Sequence, residues 1–99
     1  MENLHVALHD GFDDDTVEVR VNDRIVYDRR GVTTMTEISR ADEFEVAVEG
    51  PATVEVRLPE RGIAATLPLP DQPGTVHLAL SLVDGAIVHR FSDEEFRYA

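Results

Sequence analysis

Two stretches, TVEVRV from Thr16 to Val21 and FEVAVEGPATVEVRL from Phe44 to Leu58, alternate apolar and polar residues almost without interruption. A period of two places successive side chains on opposite faces of an extended chain, so both stretches read as half-buried β-strands. Working outward, Leu4, Val6 and Leu8 alternate with His5, Ala7 and His9 to give an earlier strand, ended by the turn-rich run Asp10 to Asp15. After Val21, Asn22-Asp23 supplies a two-residue hairpin turn, because both residue types tolerate positive φ, and the chain returns through Ile25, Val26 and Tyr27. Both faces of that return strand are apolar, which leaves open whether Val26 or the Ile25/Tyr27 pair faces the core.

Residues 29 to 43 show no sustained period and read as a connection, with room for one helical turn, that crosses between sheets. Phe44, Val46 and Val48 run into the turn signal Glu49-Gly50-Pro51-Ala52, and Val54, Val56 and Leu58 come back, which predicts a second hairpin. Ile63, Ala65, Leu67 and Leu69 continue on one face, yet Pro68 cannot donate to a ladder, so this is an edge strand or a strand ending at 67. Val76, Leu78, Leu80 and Leu82 form the most apolar strand, closed by Asp84-Gly85, a strong type I′ signal. That turn predicts Leu82 opposite Ile87, Leu80 opposite His89, Leu78 opposite Phe91 and His77 opposite Ser92. Seven or eight short strands with no substantial helix make an all-β chain, an antiparallel β-sandwich of two sheets in a single domain over residues 1–99. Val19, Val21, Phe44, Val46, Val48, Val54, Val56, Leu78, Leu80 and Leu82 are the expected core.

The chain has 99 residues, enough to bury roughly 60–65% of the surface that its unfolded form exposes. It has no cysteine, which removes disulfides, thiolate catalysis and cysteine metal sites. Its formal net charge is −11, and all nine basic residues are arginine. A field of that sign repels phosphate backbones and anionic membranes, so neither nucleic acid nor a membrane is an expected partner. Arginine in place of every lysine fits a GC-rich bacterial or archaeal genome, and the excess of carboxylates would also suit a high-salt cytoplasm. Residues 1 to 20 hold no apolar signal core and no apolar run approaches a bilayer span, so a soluble, cytoplasmic protein is expected.

The best ligand candidates are the carboxylates of Asp10, Asp13, Asp14 and Asp15, because oxygen ligands crowded at one end of a sandwich suit calcium. A solvated turn, its aspartates bonded to their own backbone, is the plainer reading. His5 and His9 stand at i and i+4, but on a strand that separates them by about 13 Å, too far to share an ion. A histidine site would need another histidine-bearing strand beside the first. His89 reads as a partly buried histidine at the rim. His77, Ser92 and Asp93 imitate a triad only superficially, since Asp93 would point away from Ser92 and no strained elbow frames the serine. Tyr27, Phe96 and Tyr98 are the aromatics that could form an exposed contact patch.

The order VEVRVNDRIVYD, RGVTT, FEVAVEGPATVEVRLPERG and VHLALSLVDG, over roughly residues 16 to 85, resembles the layout of the PEGA domain and of the transthyretin-like regulatory domains found beside carboxypeptidases. Asp23 stands where those domains usually carry a glycine. The resemblance implies a non-catalytic interaction module. The sequence therefore predicts a non-enzymatic domain that binds a protein partner or forms a homo-oligomer, with a calcium-dependent module at Asp10 to Asp15 as the alternative.

Overall fold

The structure, a computed structural model, describes residues 2–92. Eight strands form two four-stranded sheets: β1 (Asn3–Leu8), β2 (Asp15–Val21), β3 (Arg24–Val32), β4 (Asp42–Ala47), β5 (Thr53–Leu58), β6 (Ile63–Pro68), β7 (Thr75–Val83) and β8 (Ala86–Ser92). The first sheet has the order β4-β1-β7-β8 and the second β3-β2-β5-β6. Among the described residues the only helical element is one 3-10 turn at Pro59–Arg61. No helix among the described residues is long and apolar enough to cross a membrane.

The two central strands of each sheet supply the interior. Leu4, Val6 and Leu8 of β1 and Val76, Leu78 and Leu80 of β7 meet Val17 and Val19 of β2 and Val54, Val56 and Leu58 of β5, all essentially without solvent exposure. The remaining expected core residues are buried too, except Phe44 and Val46, which are half-buried because β4 is an edge strand. Alternation therefore reads correctly wherever a strand has neighbours on both sides.

Three features depart from the sequence expectation. The predicted second hairpin does not form: β4 pairs with β1 in the first sheet, whereas β5 pairs with β2 and β6 in the second. The Gly50-Pro51 turn, with Gly50 at φ 68°, carries the chain between sheets, and a turn signal does not distinguish that arch from a hairpin. The first sheet is also mixed, because β1 and β7 run parallel, in register from Asn3↔Thr75 to Leu8↔Leu80. Finally, the connection after Tyr27 is shorter than expected, as β3 continues to Val32.

A β-bulge resolves the ambiguous face of β3. Val19 pairs with Tyr27 and Arg20 with Ile25, so Val26 is the extra residue and the side-chain alternation shifts there. Tyr27 consequently points into the core while Ile25 is 49% exposed. The Asn22-Asp23 and Asp84-Gly85 turns have positive φ at both positions, as a type I′ turn requires. The last hairpin has the predicted register, with Leu82↔Ile87, Leu80↔His89, Leu78↔Phe91 and His77↔Ser92.

Candidate functional site

The outer face of the first sheet brings His5, His77, Glu43 and Glu45 together. In β1 the inward set Leu4, Val6 and Leu8 leaves His5 facing out, and in β7 the inward set Val76, Leu78 and Leu80 does the same for His77. The parallel register pairs these two histidines directly, with Glu45 opposite His5 on β4 and Ser92 opposite His77 on β8. Their Nδ1 atoms lie 3.0 Å apart and their rings meet nearly at right angles, at 82°. Glu43 bridges two cations or donors: its Oε2 is 3.2 Å from His5 Nε2 and its Oε1 accepts from Arg40 at 3.0 Å.

That contact sets the proton on His5. A carboxylate oxygen only accepts, so a neutral His5 donates from Nε2 to Glu43 and keeps a bare lone pair on Nδ1. The hydrogen between the two Nδ1 atoms then belongs to His77. His9 lies one turn of the pleat beyond Ala7 and does not join the pair; burial holds its pKa below the usual histidine value, against the opposing effect of Asp10.

Beside the histidines, a shallow groove runs along β8, lined by His9, Ala79, Ser81, Val88 and Arg90. β8 is the last strand of its sheet among the described residues. The ladder direction follows from β7: Leu80 O accepts from His9 N at 2.7 Å and Leu82 N donates to Asp10 O at 2.8 Å. Even-numbered residues of β7 thus bond toward β1, and its odd-numbered residues bond toward β8. In the antiparallel register, Ala86, Val88, Arg90 and Ser92 receive those bonds, so the N–H and C=O groups of Ile87, His89 and Phe91 point away from the sheet. Val83 and Val88 on the outer face are 51% and 47% exposed. His89 is exposed, not partly buried at the rim, because among the described residues β8 has a neighbouring strand on one side only; its ring lies edge-to-face with Phe91 at 5.4 Å.

In the acidic loop the four aspartates differ in their surroundings. Asp15 is buried, and its two oxygens take a bidentate bond from Arg61, Nε to Oδ1 at 2.6 Å and Nη2 to Oδ2 at 2.9 Å. Asp13 N also donates to Asp15 Oδ2, at 2.9 Å, and Asp14 N donates to the Thr33 hydroxyl. Asp10, Asp13 and Asp14 are exposed. The hydrogen bond from Arg61 holds the Asp15 carboxyl below its ordinary pKa, which keeps it ionised for the ion pair. Among the described residues no three His, Asp or Glu side chains converge as metal ligands.

Tyr27 is not an exposed contact residue. It is buried, stacks on Phe44 with ring centroids 4.6 Å apart, and donates from its hydroxyl to Asp42 Oδ2 at 2.9 Å. Arg29 reaches the same carboxylate at 3.3 Å. These contacts join the β3 edge of one sheet to the β4 edge of the other. Burial and the Asp42 bond push the Tyr27 hydroxyl well above its ordinary pKa. Phe96, Tyr98 and Asp93 lie outside the described residues.

The sequence leaves open which histidine-bearing strand lies beside the first, because His5 and His77 each occupy an ordinary outward position. Only the parallel β1–β7 register brings them together, and no local signal encodes a pairing so distant in the chain. No protein-family model, curated protein or solved structure matches the chain.

Proposed function

We propose that this protein is a non-enzymatic interaction module that takes an extended segment of a basic partner protein along the free edge of β8. The observation that carries this reading is the outward row of N–H and C=O groups on Ile87, His89 and Phe91, a template for an added strand. The other edges are protected. β6 ends at Pro68, β3 is broken by two bulges, and β4 is short, acidic and tied to β3 through Tyr27, Asp42 and Arg29. β8 has neither proline nor bulge, and Val88 offers an apolar contact beside the groove.

The −11 charge selects the partner class, since the field of the whole domain attracts a basic protein and speeds its approach. A second copy is a poorer occupant, because pairing two β8 edges brings together two bodies of like charge. The non-catalytic role agrees with the one implied by the resemblance to PEGA and transthyretin-like modules.

His89→Pro tests the reading without breaking the β7–β8 ladder, as it removes only an outward N–H. Affinity capture from host extract with the wild type should recover a basic protein that the variant fails to retain, with both melting at similar temperatures. Equal retention by the two, or a wild type that is monomeric and retains nothing, would rule the β8 edge out.

A further inference from the structure

Two imidazole nitrogens held 3.0 Å apart on neighbouring central strands are close enough to share one ion once their hydrogen bond opens. A divalent transition metal binds imidazole at about 2.0–2.1 Å. An ion equidistant from both Nδ1 atoms at that length subtends an N–metal–N angle of about 94°, from the 3.0 Å separation. That value lies near the right angle of tetragonal coordination and well short of the tetrahedral angle that zinc adopts. Copper(II) and nickel(II) favour tetragonal nitrogen and oxygen sets, and copper(II) stands highest in the affinity order of divalent ions.

The surroundings support a ligand role for the pair. Glu43 takes the Nε2 hydrogen of His5, the arrangement that fixes tautomer and ring orientation in metal-bound histidines and raises the basicity of the ligating nitrogen. Arg40 in turn holds the other oxygen of Glu43. The His5 side chain is 14% exposed, His77 is half-buried, and both rings stand on strands at the centre of the sheet. Binding needs the His77 hydrogen to leave Nδ1 and both rings to turn about their side-chain torsions, so that the two Nδ1 lone pairs, which face each other in the hydrogen bond, converge on the ion. Glu45 faces the same row and the chain carries −11, so the local field draws cations.

We propose that His5 and His77 form a two-imidazole site for a late divalent transition metal, copper(II) foremost, with Glu43 as the residue that positions His5. Water or a partner side chain completes the coordination on the outer side of the sheet. This site is separate from the β8 edge, and either can fail without the other.

The test is titration of the full chain with copper(II) in a non-coordinating buffer at neutral pH, read by electron paramagnetic resonance and by calorimetry. The wild type should bind one ion per chain with hyperfine structure from two nitrogens. His77→Gln and His5→Gln should each lose that signature, and Glu43→Gln should bind about 10- to 100-fold more weakly with the same spectrum. His89→Gln should leave both readouts unchanged. Circular dichroism of each variant establishes that it is folded, and in the wild type a chelator should reverse the rise in melting temperature that copper causes. A two-nitrogen spectrum that survives in the folded His77→Gln variant, or a wild type without one, would overturn the proposal.

Discussion

Replacing Arg61 by methionine should destabilise the protein more than replacing its partner Asp15 by asparagine, although both changes remove the same ion pair. The reason is which charge is left behind. Asp15 is 4% exposed. Without Arg61 its carboxylate keeps only the Asp13 N–H, so it stays buried and largely uncompensated. Breaking a buried pair in this way costs about 3–5 kcal/mol. We take the low end, about 3 kcal/mol, because the Arg61 side chain is 35% exposed and water reaches that side of the pair. Asp15→Asn instead removes the buried charge, keeps an acceptor for Asp13 N, and frees an arginine that can turn into solvent. That loss is about 1.5–2 kcal/mol, the low end for a hydrogen bond to a charged group, because the acceptor for Asp13 N is kept. At about 4–8 °C per kcal/mol for a domain of this size, Arg61→Met should lower Tm by about 12–24 °C. The acid limb gives a second reading. Because Arg61 holds Asp15 below its ordinary pKa, the contribution is fully present above about pH 3.9 and is lost as pH falls through the lowered folded value. In Arg61→Met, burial is opposed only by the Asp13 N–H, so the folded pKa rises, the loss that Asp15 contributes on acidification shrinks or reverses, and the gap between variant and wild type should narrow as pH falls. Urea melts followed by circular dichroism from pH 2 to 8 measure both effects. Equal losses in the two variants, or a larger loss in Asp15→Asn, would refute the reasoning.

Gly11 sits at φ 89°, and a β-carbon there would lie 2.0 Å from the carbonyl oxygen of Leu82, so Gly11→Ala should cost about 3 kcal/mol from left-handed strain and overpacking, read by urea denaturation. Tyr27→Phe should cost about 1 kcal/mol, since Arg29 still engages Asp42. In alkaline absorbance titration the same change should remove the late phase from the two tyrosines, because the raised Tyr27 value stabilises the fold up to about pH 10 and that gain is lost as pH rises through the folded value. Millimolar calcium should raise Tm no further than sodium chloride of equal ionic strength, because Asp15 is committed to Arg61; a larger rise would support a calcium site in the acidic loop.

The parts of this fold that the sequence made legible are those governed by local chemistry. Asp84-Gly85 sets a two-residue turn, and from it every pair of the last hairpin follows. Val17 to Val21 and Val54 to Leu58 are central strands with one buried face, so their alternation is clean. The illegible parts depend on choices that local chemistry leaves open. Gly50-Pro51 marks a reversal, but whether the chain pairs with itself or passes to the other sheet is decided by β1 and β2, which offer partners to β4 and β5 separately. The bulge at Val26 makes both faces of β3 apolar in the sequence, although only one direction is buried at each point. The histidine pair is the extreme case. His5 and His77 each occupy an ordinary outward position, and their meeting depends on a parallel register between strands from opposite ends of the chain.

The central claim is that the outer edge of β8 is open and ready to pair, and amide hydrogen exchange of the uncomplexed protein, read residue by residue by NMR, tests it most directly. The amides of Val88 and Arg90 should be protected by β7, while those of Ile87, His89 and Phe91 exchange fast. Protection of Ile87, His89 and Phe91 in the isolated monomer would mean that the edge is already covered, and the proposed docking strand would have nowhere to bind.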